Sequence, residues 1–466
     1  MTTSQSSPSQ STTEERAITE SDLRLSRVPA PARSFVRAGC GLVAFCIPLK
    51  LAFTYLTLIP LILLWGLMQW KQPLRLLITK QERSVLAPLG FLILAITCGA
   101  IVGIDPARSA SPLLSLIFFT LTIFVFRDFG NSYYVLLALI TGQTIAAIHS
   151  VIAAAFPTKI PGLFLGSVTE SGQLSLSLLV CVGLLWSKYS NSKSILPPSI
   201  PRIAAISFAT TLLLLTAFGF YSTANISGAI LFIAWTLGVL LIRVLLKNAP
   251  RTLPEARGIL SLATFHLPIL LCALLVNLKR GPWVGVVVGL AVFCAVYARR
   301  LLAVIIVGAV VTSISVPPIR ERLAASYEHF TISGGRSTIW HIGLELAAKY
   351  PLGVGYHNSG VLRQFSLEIP PELKHFHNNL LNIAAENGVL TACIFVWFIY
   401  SLVRLCFARP LSALHVAIGC AFISWQTAGL VEYNFGDSEV MLVVWVLLGC
   451  VLGDIRARET SRSHTT

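Results

Sequence analysis

The stretch HFHNNLLNIAAENGVLTACIF, residues 375–395, marks the point where a long polar segment gives way to the apolar C-terminal part of the chain. It opens with two histidines and two asparagines, and it carries Glu386, Asn387 and Gly388 further in. In lipid, a polar group without a hydrogen-bond partner costs free energy. Polar residues at the entrance of an apolar helix therefore indicate a function.

The rest of the chain has the composition of a membrane protein. Of its 466 residues, 55% are hydrophobic and 12% are charged, whereas a soluble domain carries about 25% charged residues. Its apolar runs predict an all-α fold, a polytopic membrane helical bundle with about 12–14 transmembrane helices. The runs lie near residues 35–50, 51–70, 84–103, 112–126, 132–156, 172–187, 203–222, 224–246, 258–277, 282–298, 300–317, 377–403, 411–431 and 437–453.

These runs divide the chain into five segments. Residues 1–34 are polar and lack the apolar core of a secretory signal, so they predict a disordered cytoplasmic tail. Within the long loop, apolar spacing predicts an amphipathic helix over 336–350, which a Pro/Gly turn region follows. The segments are the tail 1–34, an N-terminal bundle 35–317, a partly helical periplasmic loop 318–376, C-terminal transmembrane helices 377–453 and a cytoplasmic tail 454–466.

The charge of +15 at pH 7 is better explained by membrane topology than by a nucleic-acid partner. If the spans alternate, roughly two thirds of the 35 Lys and Arg residues fall on the side of the two tails. The positive-inside rule then predicts that both termini lie in the cytoplasm and that the loop 318–376 lies in the periplasm or outside the cell. All ten cysteines lie in or beside apolar runs, which predicts neither disulfides nor a cysteine metal site.

The opening stretch offers one polar face and one candidate base. Read as a helix, it aligns Asn378, Asn382 and Glu386 on one stripe, with His377 in the first turn at the periplasmic end. The positive end of a helix dipole favours anions and neutral imidazole, and neutral His is a usable general base. The alternative is that His377 and its asparagines are interfacial caps.

Two arginines strengthen the functional interpretation. Arg280 in LKRGPW precedes Pro282, which is placed to start a helix, and Arg336 in SGGRSTIW starts the predicted loop helix. Either alone is more often a surface charge, but Arg suits phosphate oxygens well. Together with the outward helix terminus at His377, they predict an anionic ligand at the membrane surface.

The sequence resembles the O-antigen ligase family at these residues. HNNLLNIAAENGVLTA, residues 377–392, matches its pattern of His-Asn, nine residues, Gly, two residues and Thr through His377, Asn378, Gly388 and Thr391. The family usually has Gly where Ala392 stands. The segments that carry Arg280 and Arg336, and the sequence PLGVG at 351–355, look like further landmarks in the family's order. The resemblance covers about residues 200–453.

The resemblance implies a glycosyltransferase of the lipid-dependent type in the bacterial inner membrane. Because the chain has no D-x-D motif, we expect it to be metal-independent, and we expect no cofactor. Its donor would be a glycan on undecaprenyl diphosphate, and its acceptor a lipid A–core saccharide or another saccharide at the membrane lipid surface. His377 would be the general base in an inverting displacement, and Arg280 and Arg336 would neutralise the diphosphate. Asn378, Asn382, Glu386, Gly388 and Thr391 would support the site.

Other polar residues have weaker interpretations. Glu386 could orient the site through Asn382 or pair with a positively charged group, but a structural hydrogen bond between helices is favoured. Glu432 lies in a turn with Asp437 and Glu439, which favours a solvated turn over an acceptor contact. A metal pair of His375 and His377 is disfavoured, because the chain has no D-x-D motif. Further sugar contacts in the loop are possible without any feature that selects among them, at Tyr327, His329 and His357.

Several functions stay open at this point. O-antigen polymerases and protein O-oligosaccharyltransferases belong to the same superfamily as the ligases. A polysaccharide flippase or ion-coupled transporter would place ionisable groups near mid-bilayer, whereas most acidic residues here lie in tails, loops or span ends. A non-catalytic assembly subunit would tolerate the loss of His377, and an enzyme would not.

Overall fold

The computed structural model describes residues 30–71, 78–156, 167–193, 199–221, 254–332, 334–359 and 375–463, and these form helices joined by turns, with no strand among them. The helices are α1 Ala30–Cys46, α2 Leu51–Lys71, α3 Lys80–Val102, α4 Pro106–Phe129, α5 Ser132–Ala155, α6 Ser167–Ser192, α7 Ser199–Tyr221, α8 Pro254–Ser261, α9 Leu267–Val276, α10 Arg280–Tyr297, α11 Arg299–Ser315, α12 Pro317–Ala324, α13 Ser326–Thr331, α14 Arg336–Lys349, α15 Asn379–Asn387, α16 Val389–Cys406, α17 Ala413–Gly429 and α18 Ser438–Ser463. One π-helical turn, Leu262–His266, joins α8 to α9.

The predicted all-α membrane bundle is confirmed. In the described ranges, ten helices are long and apolar enough to cross a membrane, or eleven if α11 and the helix after its 88° bend count as one span. The apolar run at 35–50 forms the shorter helix α1, and the run at 411–431 forms α17 with 17 residues. The run at 224–246, the tail residues 1–29 and the loop residues 360–374 lie outside the described residues.

Two segment boundaries differ from those predicted. Helix α1 begins at Ala30, inside the predicted tail 1–34, and α18 continues through the predicted tail to Ser463. The extension of α18 has a physical basis, because buried Arg456 lies 3.4 Å from Oδ1 of Asp128 on α4. Arg127, next to Asp128, reaches Glu82 at the start of α3. A buried charge without its partner is costly, so this network keeps the end of α18 packed on α3 and α4.

Close helix packing in the core rests on small residues. Helix α17 lies between α10 and α6, and α10 carries glycines at four-residue spacing on the face toward α17. A Cβ at Gly285 would overlap the carbonyl oxygen of Ser424, and one at Gly289 would lie 2.9 Å from that of Cys420. Small residues at this spacing let membrane helices approach closely.

The predicted single run at 377–403 is two helices. Gly388, with φ of 90°, separates α15 from α16, and α15 packs on α3 and on the loop helix α14. We call the end of the bundle where α14 and α15 meet the loop end. Backbone at positive φ disfavours every residue with a side chain, so Gly388 permits the break.

Candidate active site

Asn378 caps helix α15. Its Oδ1 accepts a hydrogen bond from the backbone N–H of Leu381 at 2.9 Å, and its Nδ2 donates to the carbonyl of Leu430 at 3.0 Å. His377 lies before this cap with φ of 51°, so its expected place in the first helical turn is wrong. The Asn378 side chain takes the capping position because its oxygen satisfies an otherwise unpaired helix N–H. A left-handed residue other than glycine is uncommon and clusters at functional sites.

A chain of contacts joins His377, Glu432 and Arg336. Nδ1 of His377 lies 3.3 Å from Oε2 of Glu432, and Nη2 of Arg336 donates to Oε1 of the same carboxylate at 3.0 Å. The three side chains are 25%, 18% and 23% exposed in that order, so a ligand can reach them. When Nδ1 carries the proton that Glu432 accepts, Nε2 is left free to accept another.

Glu432 is not the solvated turn residue that the sequence favoured. Burial alone would raise the pKa of this carboxyl, but the hydrogen bond from His377 and the charge of Arg336 outweigh burial and hold the pKa below its ordinary value. Glu432 is therefore an anion near neutral pH. The reason for the error is distance along the chain, because partners 55 and 96 residues away give the local sequence no signal.

Arg280 starts α10 and Arg336 starts α14, as predicted. Nη1 of Arg280 donates to Oγ of Ser326 at 2.7 Å, which turns part of its guanidinium toward α13. Arg280 also interacts electrostatically with Arg322, Arg336 and Glu432. Arg322 is a residue that sequence reasoning missed. Arg280 and Arg336 near one carboxylate, with Arg322 beside Arg280, leave a net positive charge that suits an anion.

His375 lies beside the candidate base. Its ring centroid is 4.3 Å from that of His377 and 5.6 Å from that of Tyr433. Burial, followed by the charge of His377, lowers the pKa of His375 to about 4, so His375 is neutral at physiological pH. Its Nδ1 faces the backbone N–H of His377 at 3.4 Å. His375 thus packs and orients the His377 backbone.

Asn382 and Glu386 are fully buried and bind loop backbone or side chains. Oδ1 of Asn382 accepts from the backbone N–H of Phe376 at 3.1 Å. Glu386 accepts from Oγ of Ser359 at 2.6 Å, and the hydroxyl of Tyr433 lies 3.5 Å from its other oxygen. These two residues hold the segments on either side of the loop against α15. The predicted structural hydrogen bond of Glu386 is present, although its partner is a loop residue rather than another membrane helix.

Asn379, the first residue of α15, positions the turn that carries Glu432. Its Oδ1 accepts the backbone N–H groups of Asn434 and Phe435, each at 3.0 Å. Its Nδ2 donates to Oδ1 of Asn434 at 2.6 Å. The sequence placed Asn379 in the polar entrance but suggested no partner for it. The Asn379 side chain thereby holds together the two segments that carry the candidate base, His377, and its carboxylate partner, Glu432.

The PLGVG segment passes close to the backbone of α15. The N–H groups of Val354 and Gly355 donate to the carbonyls of Ala385 and Glu386 at 2.9 and 2.7 Å. Gly353 has φ of 85°, and a Cβ there would overlap the carbonyl of Glu386. Gly388 likewise leaves room for the carbonyl of Pro351. These contacts explain the glycines of the PLGVG segment, since only glycine permits both the positive φ and the close approach of the two backbones.

We expect Gly353→Ala to destabilise the loop end and to abolish most activity. Left-handed strain costs about 1–3 kcal/mol, and the overlap with the α15 backbone adds to that. The measurement is the thermal unfolding midpoint of detergent-purified protein. Gly90→Ala is the matched control, because Gly90 lies within α3 with open space around its Cβ position. Equal midpoints for the two variants would contradict this account.

Thr391 and Ala392 shape the start of α16. Oγ1 of Thr391 donates to the carbonyl of Asn387 at 2.6 Å, which satisfies a carbonyl beside the break at Gly388. Ala392 is 5% exposed, so a methyl group is accommodated where the family usually has glycine. Both residues support the turn between α15 and α16 rather than the reacting groups.

A cavity of about 430 Å³ lies at the loop end, and His377 and Glu432 line it. Its wall also contains Lys279, which the sequence showed only as a neighbour of Arg280. The described lining residues with ionisable side chains are Lys279, His357, His375, His377, Glu386, Glu432, Tyr433 and Asp437. The cavity therefore combines a candidate base, an anion that orients it and positive charge nearby. This arrangement can accept a proton and hold an anionic leaving group.

Two comparisons with known proteins indicate what this chain is similar to. Residues 265–396, which include Arg280, Arg336 and His377, match the model of the O-antigen ligase family. The chain is also 26% identical over 123 residues to a protein of Rickettsia typhi that is provisionally named a polysaccharide ligase. That match covers 24% of this chain and 30% of the relative, so the chain spans about a third of the curated relative it matches.

The earlier resemblance through His377, Asn378, Gly388 and Thr391 falls inside the matched range. The multi-pass architecture around it is that of a membrane protein. Over residues 265–396 the chain is therefore similar to the O-antigen ligase family.

Proposed function

We propose that the protein is a lipid-dependent glycosyltransferase, which transfers a glycan from undecaprenyl diphosphate to a lipid A–core saccharide. The observation that carries the proposal is the contact chain from His377 through Glu432 to Arg336, in which His377 and Glu432 line the cavity and Arg336 lies behind Glu432. This chain places a base that can take a proton from a hydroxyl beside cations that can bind a diphosphate. The match to the O-antigen ligase family supports the same reaction class.

The proposed reaction is a direct displacement at the anomeric carbon of the donor sugar. The acceptor hydroxyl gives its proton to Nε2 of His377, while its oxygen forms the new glycosidic bond. The bond from the anomeric carbon to the phosphate oxygen breaks, and undecaprenyl diphosphate leaves with the electron pair. One displacement inverts the anomeric centre. Glu432 stabilises the imidazolium that forms, as a carboxylate partner does for a catalytic histidine.

Arg336 and Arg280 have the chemistry to neutralise the leaving diphosphate. A guanidinium has five N–H donors, so Arg336 can keep its contact with Glu432 and bind a phosphate oxygen at once. Arg280 uses Nη1 for its hydrogen bond to Ser326, and its other guanidinium nitrogens can donate to a phosphate oxygen. Lys279 lines the cavity directly and adds a third positive charge to the proposed phosphate site. No step of this mechanism needs a metal ion or a cofactor.

The proposed location is the bacterial inner membrane, with the loop end in the periplasm and both termini in the cytoplasm. The excess of Lys and Arg in the segments assigned to the cytoplasm supports this orientation. Undecaprenyl diphosphate and lipid A are both membrane lipids, and in this orientation their polar groups would lie on the side of the membrane where α10 begins. The site would thus meet both partners at the lipid surface.

Reconstitution of the purified protein with lipid-linked donor tests the function. Three acceptors are offered in parallel: lipid A–core, a second lipid-linked glycan and a peptide. We expect glycan transfer to lipid A–core with inverted linkage. Transfer to the second lipid-linked glycan alone would identify a polymerase, and transfer to the peptide alone would identify a protein-directed transferase. Failure with every acceptor under conditions where the donor is intact would contradict the proposed function.

We expect Arg336→Gln to lower transfer by roughly ten- to a hundredfold, because charged hydrogen bonds to the leaving group are lost. Arg336→Lys should keep part of the activity, since it keeps the charge but loses the planar fork. The same series at Arg280 should follow this order. Initial rates at saturating donor provide the measurement. Arg300→Gln is the control, because Arg300 is exposed at the start of α11, beside the end of α10 that lies opposite Arg280. Unchanged turnover in both Arg336→Gln and Arg280→Gln would mean that these arginines are surface charges.

A further inference from the structure

A second cavity, of about 230 Å³, adjoins the active-site cavity at the loop end. The two cavities share His357 and Gly436 in their walls. The mechanism proposed above places its charged groups in the first cavity and makes no use of the second. Two adjoining cavities are what a transferase needs, because it must hold two substrates with their reacting atoms in contact.

The walls of the second cavity differ in chemistry from those of the first. Among the described lining residues there is no Lys, Arg, Asp or Glu. A sugar ring presents apolar C–H faces that pack on aromatic rings and hydroxyl groups that exchange hydrogen bonds with serine. The relevant side chains are those of Ser111, Ser115, Ser438, Phe119, Tyr356 and Trp445. This set suits an uncharged saccharide ring and lacks a cation for a phosphate.

The cavity is held open by contacts outside it. Oγ of Ser109 on α4 donates to the carbonyl of Tyr356 at 2.7 Å. The N–H of Phe435, which also lines the cavity, donates to Oδ1 of Asn379 at 3.0 Å. Tyr356, Phe435 and Trp445 are each less than 4% exposed. A preformed wall of this kind reduces the ordering cost of binding.

His357 occupies the boundary between the two cavities in a constrained conformation. Its φ is 59°, and its backbone N–H and that of Ser359 donate to the buried Glu386 carboxylate. Glu386 therefore has a second role: besides anchoring the loop, it fixes the position of His357. The imidazole at this boundary can donate or accept a hydrogen bond beside either cavity.

We propose that the second cavity is a saccharide subsite, which holds one sugar ring beside His357 while the lipid diphosphate lies in the first cavity. The ring belongs either to the acceptor or to the donor glycan, and the two sources share this chemistry. The assignment of the subsite to transfer rests on the proposed function. Binding of a sugar ring to the cavity does not depend on transfer, and it is measured separately.

The test uses the full-length protein in detergent and the variant Ser115→Phe, which fills the cavity from α4. Leu114→Phe is the matched control, because Leu114 is the preceding residue on α4 and is 67% exposed. Saturation-transfer NMR is recorded with methyl glycosides of glucose, galactose and N-acetylglucosamine as probes. Transfer kinetics are measured with each substrate titrated in turn. Ser111→Ala with Ser115→Ala serves as a second variant, which removes hydroxyls without adding volume.

We expect at least one glycoside to give saturation transfer with wild type and Leu114→Phe, and a much weaker signal with Ser115→Phe. The KM of one substrate should rise roughly tenfold in the serine variants, which is the effect of about one hydrogen bond and its packing. A rise for the acceptor assigns the subsite to the acceptor, and a rise for the donor assigns it to the donor glycan. Equal glycoside signals and unchanged KM values in folded variants would overturn the subsite. Loss of transfer in every protein, with glycoside binding intact, would instead count against the proposed function.

Discussion

His377→Ala is expected to lower glycan transfer by roughly a hundredfold or more while the protein stays folded and inserted in the membrane. General-base catalysis contributes about that factor, and the side chain is 25% exposed, so its removal loses little packing. The variant should lose turnover rather than donor binding, because the base acts when the hydroxyl reacts. The measurement is the initial rate of transfer at saturating donor, with the thermal unfolding midpoint as a check on folding.

The chain contains its own control for this experiment. His341 on α14 lies 3.1 Å from Glu345, but both side chains are exposed, at 75% and 64%. His341→Ala removes the same group from an ion pair of similar length away from the cavity, and we expect full activity. Near-normal transfer by a well-expressed His377→Ala protein would rule out the proposed base. It would leave the match of residues 265–396 to the O-antigen ligase family model unaffected.

Glu432→Gln is expected to give the second largest loss, roughly ten- to a hundredfold in turnover. The substitution keeps the size of the side chain but removes the charge that stabilises the imidazolium of His377. An amide also has only one acceptor oxygen, so the substituted side chain cannot accept hydrogen bonds from Arg336 and His377 at once, as the two carboxylate oxygens do. Glu345→Gln is the matched control, because it makes the same change in the exposed pair on α14.

The pH dependence of stability gives Glu432→Gln an independent readout. The pKa of Glu432 is lowered from its ordinary value of 4.5, so its ionic contacts contribute fully above pH 4.5 and are lost as the pH falls through the lowered value. The midpoint difference between wild type and Glu432→Gln should therefore be largest above pH 4.5 and should close in more acidic buffer. A difference that stayed constant, with turnover unchanged, would return Glu432 to the role of a solvated turn residue.

Glu432 also illustrates what local sequence cannot predict. In the sequence it stands in a short polar turn with Asp437 and Glu439, which is the usual setting of a solvated carboxylate. In the fold, Asn379 binds the backbone of Asn434 and Phe435 and brings that turn against the start of α15. The role of Glu432 depends on this contact between distant segments. The local sequence carried no signal that distinguished Glu432 from its neighbours Asp437 and Glu439.

The sequence by itself determined the membrane helices and the order of the site landmarks. Hydropathy acts on each segment independently, so an apolar run predicts a span whatever its neighbours are. Arg280 and Arg336 were correctly placed at helix starts, because Pro282 and the glycines before Arg336 are local signals. The family pattern at His377 was also a local feature, and the match over residues 265–396 agrees with it.

The tertiary structure alone decided the left-handed backbone of His377, the break at Gly388 and the pairing of Glu432 with His377 and Arg336. Each of these results from groups that meet only after the helices pack. Asn378 donates a hydrogen bond to the carbonyl of Leu430, and Gly388 leaves room for the carbonyl of Pro351. Glu432 accepts a hydrogen bond from Arg336 on the loop helix α14. Lipid makes every unpaired polar group costly, so the chain must find partners for its polar entrance. Which partners are available is a property of helix packing, since a hydrogen bond acts over about 3 Å regardless of separation along the chain.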